Sequence, residues 1–218
     1  MIKAVIIDFD DTLCLTEDAC FALENEILAL MGAKTQTREM HQKTWGQPLF
    51  EAIKVRSPGV DADKFKQLVQ ENIPFWVAEN RMDSIPVERL QVLDDLLAAG
   101  KELFILTSRT HAELKHILAP DHHLAKRIKA FYYRDIMQFH KPDPRAFDLL
   151  LDGHKLQRHE CVYVGDSPSD AAAAKQAKMH FIASLESGLR NKADFKDYAV
   201  DVFIGHLQDL PQATSRLR

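Results

Sequence analysis

The sequence predicts an α/β fold: a doubly wound, Rossmann-like parallel sheet with a small all-helical domain inserted after its first strand. Short, almost continuous apolar runs alternate with helical patterns from about residue 86 onward, which is typical of strands covered by helices on both faces. The stretch from about residue 16 to 83 has amphipathic helical segments and no strand run. A chain of 218 residues suits one core domain and a smaller second one.

Four apolar runs are predicted strands, and two further runs extend the same sheet. Their continuous hydrophobicity, without polar alternation, indicates burial on both faces. In chain order the runs are AVIID (4–8), ELFILT (102–107), AFYYR (130–134), CVYVGD (161–166), MHFIAS (179–184) and DVFIG (201–205).

Helical patterns lie between these runs. VERLQVLDDLLAAG places its apolar residues on one stripe and ends at Gly100. SDAAAAKQAKM is a second helix, with Ser169 or Asp170 predicted as its N-cap. ACFALENEILALMG and DADKFKQLVQENIPFWVAE are amphipathic segments of the insertion. These patterns assign residues 1–15 and 84–218 to the sheet domain and residues 16–83 to the helical domain.

Composition argues against several classes of partner. The formal net charge is -4, and no Lys/Arg-rich run with interleaved aromatic residues occurs, so a nucleic-acid partner is not expected. Acids interrupt the N-terminal apolar stretch too soon for a signal peptide or a membrane span, which predicts a cytoplasmic protein with no membrane partner. Three cysteines without a C-x-x-C pair indicate reduced thiols. Nothing in the sequence indicates an obligate protein partner.

Polar and charged residues follow four of the predicted strands. In an open α/β sheet, ligands bind outside the carboxyl ends of the strands, where the connecting loops converge. The residues at these positions are four acids, two hydroxyl residues and one lysine: Asp8, Asp10, Asp166, Asp170, Thr107, Ser108 and Lys141. We therefore expect these side chains to form one site.

The four acids predict a bound cation. Two carboxylates about 4 Å apart repel each other by about 4 kcal/mol at an effective dielectric constant near 20. Oxygen ligands without His or Cys favour a hard ion, and Mg²⁺ is the usual one beside a phosphate. Asp8 and Asp10 are two residues apart on an extended chain and point the same way. One of them can attack phosphorus while the other transfers protons.

Four motifs, in this order, resemble those of the haloacid dehalogenase-like hydrolase superfamily: DFDDT (8–12), ILTSR (105–109), KPDP (141–144) and GDSPSD (165–170). The resemblance covers essentially the whole chain, because the helical insertion is similar to the cap domain of the phosphoglycolate phosphatase-like branch. It implies a Mg²⁺-dependent phosphatase that hydrolyses a small phosphorylated metabolite through an aspartyl-phosphate intermediate.

The resemblance also implies roles for the first two motifs. Asp8 is the implied nucleophile and a Mg²⁺ ligand. Asp10 is the implied general acid and then base, and its backbone carbonyl is a further ligand of the metal. Thr107 is expected to hydrogen-bond the transferring phosphoryl group, and Ser108 to offer a backbone donor. Asp11 stands where the family often has glycine and is expected to be a turn residue.

The remaining motifs and the insertion supply the other implied site residues. Lys141 neutralises the phosphoryl group and orients the nucleophile. Asp166 completes the metal site, and Asp170 is either a further metal ligand or a supporting acid. The segment HQKTWGQPLFEAIK resembles the family's substrate-contacting region, which makes four of its side chains candidates for reading the leaving group: His41, Lys43, Trp45 and Gln47.

The sequence is compatible with one other function and disfavours several more. A sugar-phosphate mutase keeps both aspartates of the first motif and differs only in passing the phosphoryl group to a sugar hydroxyl. A phospho-aspartate receiver domain is disfavoured, because the chain is much longer than one receiver. A dehalogenase is disfavoured because Asp10 is present, and a catalytically inactive binding module because every motif residue is present. Phosphoglycolate, a sugar phosphate or a nucleoside monophosphate suit the sequence about equally as substrates.

Overall fold

A computed structural model describes residues 1–47 and 49–217. The chain divides into two compact units, one formed by Met1–Leu13 with Ile85–Arg218 and the other by Cys14–Ser84. We call the first the sheet unit and the second the helical unit. Each unit has a cluster of buried apolar side chains of its own.

Six parallel strands form one sheet within the described residues, in the order β3-β2-β1-β4-β5-β6. Each strand lies within one of the predicted apolar runs, so the strand predictions are confirmed with slightly shorter bounds. The strands are β1 (Ala4–Ile7), β2 (Glu102–Leu106), β3 (Ala130–Tyr132), β4 (Cys161–Gly165), β5 (His180–Ser184) and β6 (Val202–Ile204).

Strand β1 lies at the centre of the sheet, and all four of its residues are buried. Its last residue, Ile7, pairs with Ile105 of β2 on one side and Val164 of β4 on the other. The sheet extends through β2 and β3 in one direction and through β4, β5 and β6 in the other. The strand order therefore reverses between β1 and β4, and this is where such sheets bind ligands. The arrangement confirms the predicted doubly wound α/β fold.

Helices flank the strands in sequence and account for the whole of the helical unit's regular structure among the described residues. None of the described helices has the length and apolar composition needed to cross a membrane. The helices are α1 (Glu17–Leu30), α2 (Arg38–Lys43), α3 (Leu49–Arg56), α4 (Ala62–Ala78), α5 (Val87–Ala98), α6 (His111–Leu114), α7 (Asp148–His154), α8 (Pro168–Gln176) and α9 (Leu210–Ser215).

The predicted cap of helix α8 is wrong. The N-cap is Ser167, whose Oγ accepts a hydrogen bond from the backbone N–H of Asp170 at 3.2 Å, and neither Ser169 nor Asp170 takes that position. Pro168 occupies the first helical position, where its fixed φ suits the helix and its missing N–H costs nothing. The helix therefore begins directly after the loop that follows β4.

The helical unit packs around an apolar core supplied mainly by α1 and α4. Leu23 and Ile27 of α1 are one helical turn apart and lie on one buried face, as do Phe65 and Val69 of α4. Asp61 caps α4 by accepting hydrogen bonds from two backbone N–H groups in its first turn. The amphipathic patterns of the insertion are therefore explained by the unit's own core.

A buried network of charged residues joins α1, α2 and α3 of this unit. Arg56 Nη1 donates to both oxygens of Glu24, at 2.9 and 2.7 Å. The ring nitrogens of His41 lie 2.7 Å from Glu17 Oε1 and 3.2 Å from Glu24 Oε1. Burial alone would raise the pKa of Glu24, but hydrogen bonds from His41 and Gln36 and the charge of Arg56 lower it. Such a network stabilises the arrangement of its helices only while every partner is present.

Candidate active site

Asp8 lies directly beyond β1 and continues its pairing with β4. Its backbone N–H donates to the carbonyl of Val164 at 2.9 Å, and its Oδ1 accepts from the N–H of Phe9 at 2.8 Å. The side chain is buried. The end of the central strand thus holds one carboxylate at the point where the strand order reverses.

The chain turns immediately after Asp8. The φ of Asp11 is +53°, in the left-handed region that favours glycine and that aspartate tolerates better than most residues. The N–H of Leu13 donates to the carbonyls of Asp8 at 3.2 Å and Phe9 at 3.1 Å, which closes the turn. This backbone conformation explains why glycine would suit the position of Asp11, and it places Asp10 beside the strand end.

Lys141 connects the end of β1 with the residues after β4. Its Nζ lies 2.9 Å from Asp8 Oδ2 and donates to Asp170 Oδ1 at 2.7 Å and to the Tyr163 hydroxyl at 2.9 Å. These three acceptors match the three hydrogens of an ammonium group. Burial lowers the pKa of Lys141, but the charges of Asp170 and Asp8 outweigh it and raise the pKa overall. The lysine is therefore a fixed positive charge.

Asp170 is fully buried, and donors surround both of its oxygens. Oδ1 accepts from Lys141 and from the Tyr163 hydroxyl at 3.0 Å, while Oδ2 accepts from the N–H of Ser167 at 3.0 Å and its Oγ at 2.6 Å. A Cβ on Gly165 would lie only 2.6 Å from Cβ and Cγ of Asp170. The last residue of β4 must therefore be glycine for this carboxylate to reach Lys141.

Asp8, Asp166 and Asp170 form a cluster with the spacing of a metal site. Each offers a carboxylate oxygen within 4.8 Å of the other two. Burial, together with the charges of Asp170 and Asp10, raises the pKa of Asp8 to about 7 despite the nearby Lys141. Burial and the charges of Asp170, Asp8 and Asp11 raise the pKa of Asp166 well above its usual value. Lys141 alone does not neutralise this cluster, which is suited to a cation.

The second motif follows the neighbouring strand β2. Thr107 is buried, and its N–H donates to the carbonyl of Tyr132 at 2.9 Å. Its Oγ1 accepts from the N–H of Arg109 at 3.2 Å. Ser108, between them, is exposed. The hydroxyl of Thr107 and the backbone of Ser108 thus lie at the end of the strand adjacent to the one that carries Asp8.

Arg109 joins the second motif to the first. Its Nε and Nη2 contact the Asp10 carboxylate, with distances of 2.6 to 3.1 Å. Its Cζ lies 4.7 Å from the centroid of the Phe9 ring. The two loops are therefore linked by a charge-assisted, two-point contact.

The structure brings most of the sequence-predicted site residues to one edge of the sheet. The buried cluster consists of Asp8, Asp166, Asp170 and Lys141. Asp10 and Thr107 follow the neighbouring strands β1 and β2, and both contact Arg109. Four other candidates belong to the helical unit: His41 is fully buried in α2, Lys43 ends α2, and Trp45 and Gln47 follow it. Their contact with a substrate stays a prediction.

Sequence reasoning did not assign a role to several residues that build this site. Tyr163 lies in an apolar strand, so its sequence position predicts a core residue. Only the contact of its hydroxyl with Lys141 shows that it belongs to the site. Ser167 and Asp170 have the three-residue spacing of a capping box, which was a usable signal. Arg109 lies inside the motif ILTSR, but the sequence does not show which acid it contacts.

Comparisons with known proteins agree with this architecture. A family model described as haloacid dehalogenase-like hydrolase matches residues 5–184. A phosphoglycolate phosphatase of Xylella fastidiosa is 26% identical over 184 residues, which is 84% of this chain and 80% of the relative. A phosphorylated carbohydrates phosphatase of Thermotoga maritima is 25% identical over 197 residues, with 87% and 88% of the two chains covered.

A solved structure shows the same fold at lower sequence identity. A Thermotoga maritima protein named provisionally as a β-phosphoglucomutase superposes with a TM-score of 0.79 over 100% of both chains, at 21% identity. Since the family model spans most of the chain, this protein belongs to the haloacid dehalogenase-like hydrolase family. The family predicted from the four motifs is thus confirmed, and the names of the relatives support the predicted class, a phosphatase enzyme.

The contact between Gly165 and Asp170 can be tested by adding one methyl group. Gly165→Ala is expected to lower the free energy of unfolding by about 1–3 kcal/mol, because the new Cβ would overlap Asp170 and displace it from Lys141. Urea unfolding measures the difference. Gly205→Ala is the matched control, since Gly205 follows β6 and a Cβ there meets nothing within 4 Å. Equal stability of the two variants would contradict the proposed close approach.

Metal-free stability should depend on pH through Asp8. A carboxyl whose native pKa is raised contributes stability below its unfolded pKa and loses it as the pH rises through about 7. Relative to Asp8→Asn, the wild type in EDTA is expected to lose about 2–3 kcal/mol of unfolding free energy between about pH 5 and pH 8. Urea unfolding across this range tests it. The exposed Asp121→Asn should run parallel to the wild type, and a parallel course for Asp8→Asn would refute the shift.

Proposed function

We propose that this protein is a Mg²⁺-dependent phosphatase that hydrolyses a small phosphomonoester through an aspartyl-phosphate on Asp8. The observation that carries the proposal is the setting of this carboxylate at the strand-order reversal. It is buried, Lys141 Nζ lies 2.9 Å away, and oxygens of Asp166 and Asp170 are within 4.8 Å. A nucleophile, a fixed positive charge and a cation site at one strand end are the components that phosphoryl transfer requires.

Mg²⁺ fits the donors that the cluster offers. All are oxygen atoms, which suit a hard cation. Burial and the charges of neighbouring acids raise the pKa values of Asp8 and Asp166 despite Lys141, so a further positive charge would favour their ionised forms. Asp8, Asp166 and the backbone carbonyl of Asp10 are the proposed ligands. When bound, the ion supplies charge neutralisation to the phosphoryl oxygens.

Asp170 is assigned a positioning role. Its oxygen lies within reach of a shared ion, but both of its oxygens already accept hydrogen bonds, from Lys141, Tyr163 and Ser167. A carboxylate offers about four lone-pair sites, and these donors occupy them. Asp170 therefore holds the ammonium of Lys141 beside Asp8, and direct metal ligation would need one of these bonds to break.

The proposed reaction has two steps. Asp8 attacks the phosphorus atom, and the bond to the leaving oxygen breaks as Asp10 gives that oxygen a proton. Asp10 then takes a proton from water as the water attacks the aspartyl-phosphate, which restores Asp8 and releases inorganic phosphate. The hydroxyl of Thr107 donates a hydrogen bond to the phosphoryl group, and Lys141 neutralises the phosphoryl charge. The backbone N–H of Ser108 is a further donor in this proposal.

The substrate class follows from the relatives. Their names specify phosphoglycolate and phosphorylated carbohydrates as substrates, so we propose a small phosphorylated organic acid or sugar. Lys43, Trp45 and Gln47 of the helical unit, which we propose as a cap domain, would contact the leaving group, whereas His41 is fully buried. The ring of His41 lies 5.0 Å from that of Trp45, centroid to centroid. The buried Glu17 and Glu24 contacts to His41 support a fixed arrangement for this segment.

Phosphate release from a panel of small phosphoesters, with Mg²⁺ and then with EDTA, tests the proposal. The wild type should release phosphate only with the metal, and Asp8→Asn should reduce the rate by at least about 10³-fold, because no other nucleophile replaces the lost carboxylate. Asp121→Asn, at an exposed position, is the matched control and should match the wild type.

Other outcomes separate the alternatives. Transfer of the phosphoryl group to a sugar hydroxyl, without release of phosphate, would identify a mutase. A stable acyl-phosphate without turnover would identify a receiver-like switch. Equal activity of Asp8→Asn and the wild type would rule out the proposed nucleophile.

A further inference from the structure

Arg109 contacts the acid to which the proposed mechanism assigns proton transfer. Its Nη2 donates to Asp10 Oδ1 at 2.6 Å, and its Nε lies 3.1 Å from Oδ1 and 3.0 Å from Oδ2. The arginine side chain is 8% exposed and the aspartate side chain 29%. Two donor nitrogens of a planar guanidinium therefore meet both oxygens of one carboxylate at the border between protein and solvent.

Further contacts hold both the backbone and the guanidinium of Arg109. The backbone N–H of Arg109 donates to Thr107 Oγ1 at 3.2 Å, and its carbonyl accepts from the N–H of Arg134 at 2.9 Å. Its Cζ lies 4.7 Å from the Phe9 ring, within the range of a cation–π contact. Phe9 itself separates Asp8 from Asp10 in the first motif. The arginine is therefore held by the backbone of the second motif and by a side chain of the first.

We propose that Arg109 is a positioning residue that fixes the Asp10 carboxylate in the orientation needed to transfer a proton at the leaving-group oxygen. The inference rests on the proposed phosphatase function. The Asp10 side chain is partly exposed, whereas that of Asp8 is buried. A two-point contact sets the plane of a carboxylate, which a single ammonium charge does not.

A purely structural ion pair is the competing explanation, and the chain offers a matched example. Arg127 meets Asp94 with two contacts of 2.7 Å, in the same sheet unit but at a partly exposed position. Pairs of this kind contribute little to stability. Arg127→Met therefore removes a comparable contact without touching any residue of the proposed mechanism.

Leaving groups with different needs for a proton distinguish the two explanations. The leaving group of 2-phosphoglycolate is the alkoxide of glycolate, which needs a general acid, whereas that of p-nitrophenyl phosphate is a stable phenolate, which does not. Arg109→Met is expected to lower kcat for 2-phosphoglycolate by about 100-fold and for p-nitrophenyl phosphate by less than about 3-fold, with KM for both little changed. Arg109→Lys should restore only a minor part of the loss, and Arg127→Met should match the wild type.

A double variant gives an independent readout. If Arg109 acts through Asp10, then Arg109→Met should cause no further loss of kcat in an Asp10→Asn background. Equal losses for the two substrates, additive losses in the double variant, or a raised KM with kcat unchanged would each overturn the inference. A wild type without Asp8-dependent phosphate release would instead remove the proposed function, so the two failures are distinguishable.

Discussion

The ammonium of Lys141 holds the buried acids of the sheet unit in place. It contacts Asp8, Asp170 and the hydroxyl of Tyr163 at once, and so ties the end of the central strand to the residues after β4. Without it, carboxylates a few ångströms apart in a buried setting would repel one another. The glycine at the end of β4 and the capping contacts of Ser167 serve the same arrangement, because they place Asp170 where it meets the lysine.

The order of the strands makes this concentration of charge possible. Because β1 is central and the sheet grows from it in both directions, the loops after β1, β2 and β4 reach the same edge. All residues of β1 and β4 are uncharged and buried, so the charged groups next to these two strands lie beyond their ends. Burial and the charges of neighbouring acids raise the pKa values of Asp8 and Asp166. Raised carboxyl pKa values of this kind are expected of a site that binds a cation.

The helical unit has stabilising interactions of its own. An apolar core of α1 and α4 residues and a buried network around Glu24 and Arg56 hold its helices together. His41 belongs to that network, and its contacts with Glu17 and Glu24 hold α2 against α1. His41 itself is fully buried, so its role is structural.

The sequence by itself determined the strands, the doubly wound fold, the family and the set of polar residues at the strand ends, because apolar periodicity and motif order are local properties of the chain. Only the tertiary structure decided which of these residues touch. Arg109 meets Asp10 across 99 positions of sequence, and Asp170 binds Lys141 across 29. The structure also shows that the N-cap of α8 is Ser167, and not Ser169 or Asp170. Such pairings depend on strand register and side-chain direction, which neither composition nor periodicity encodes.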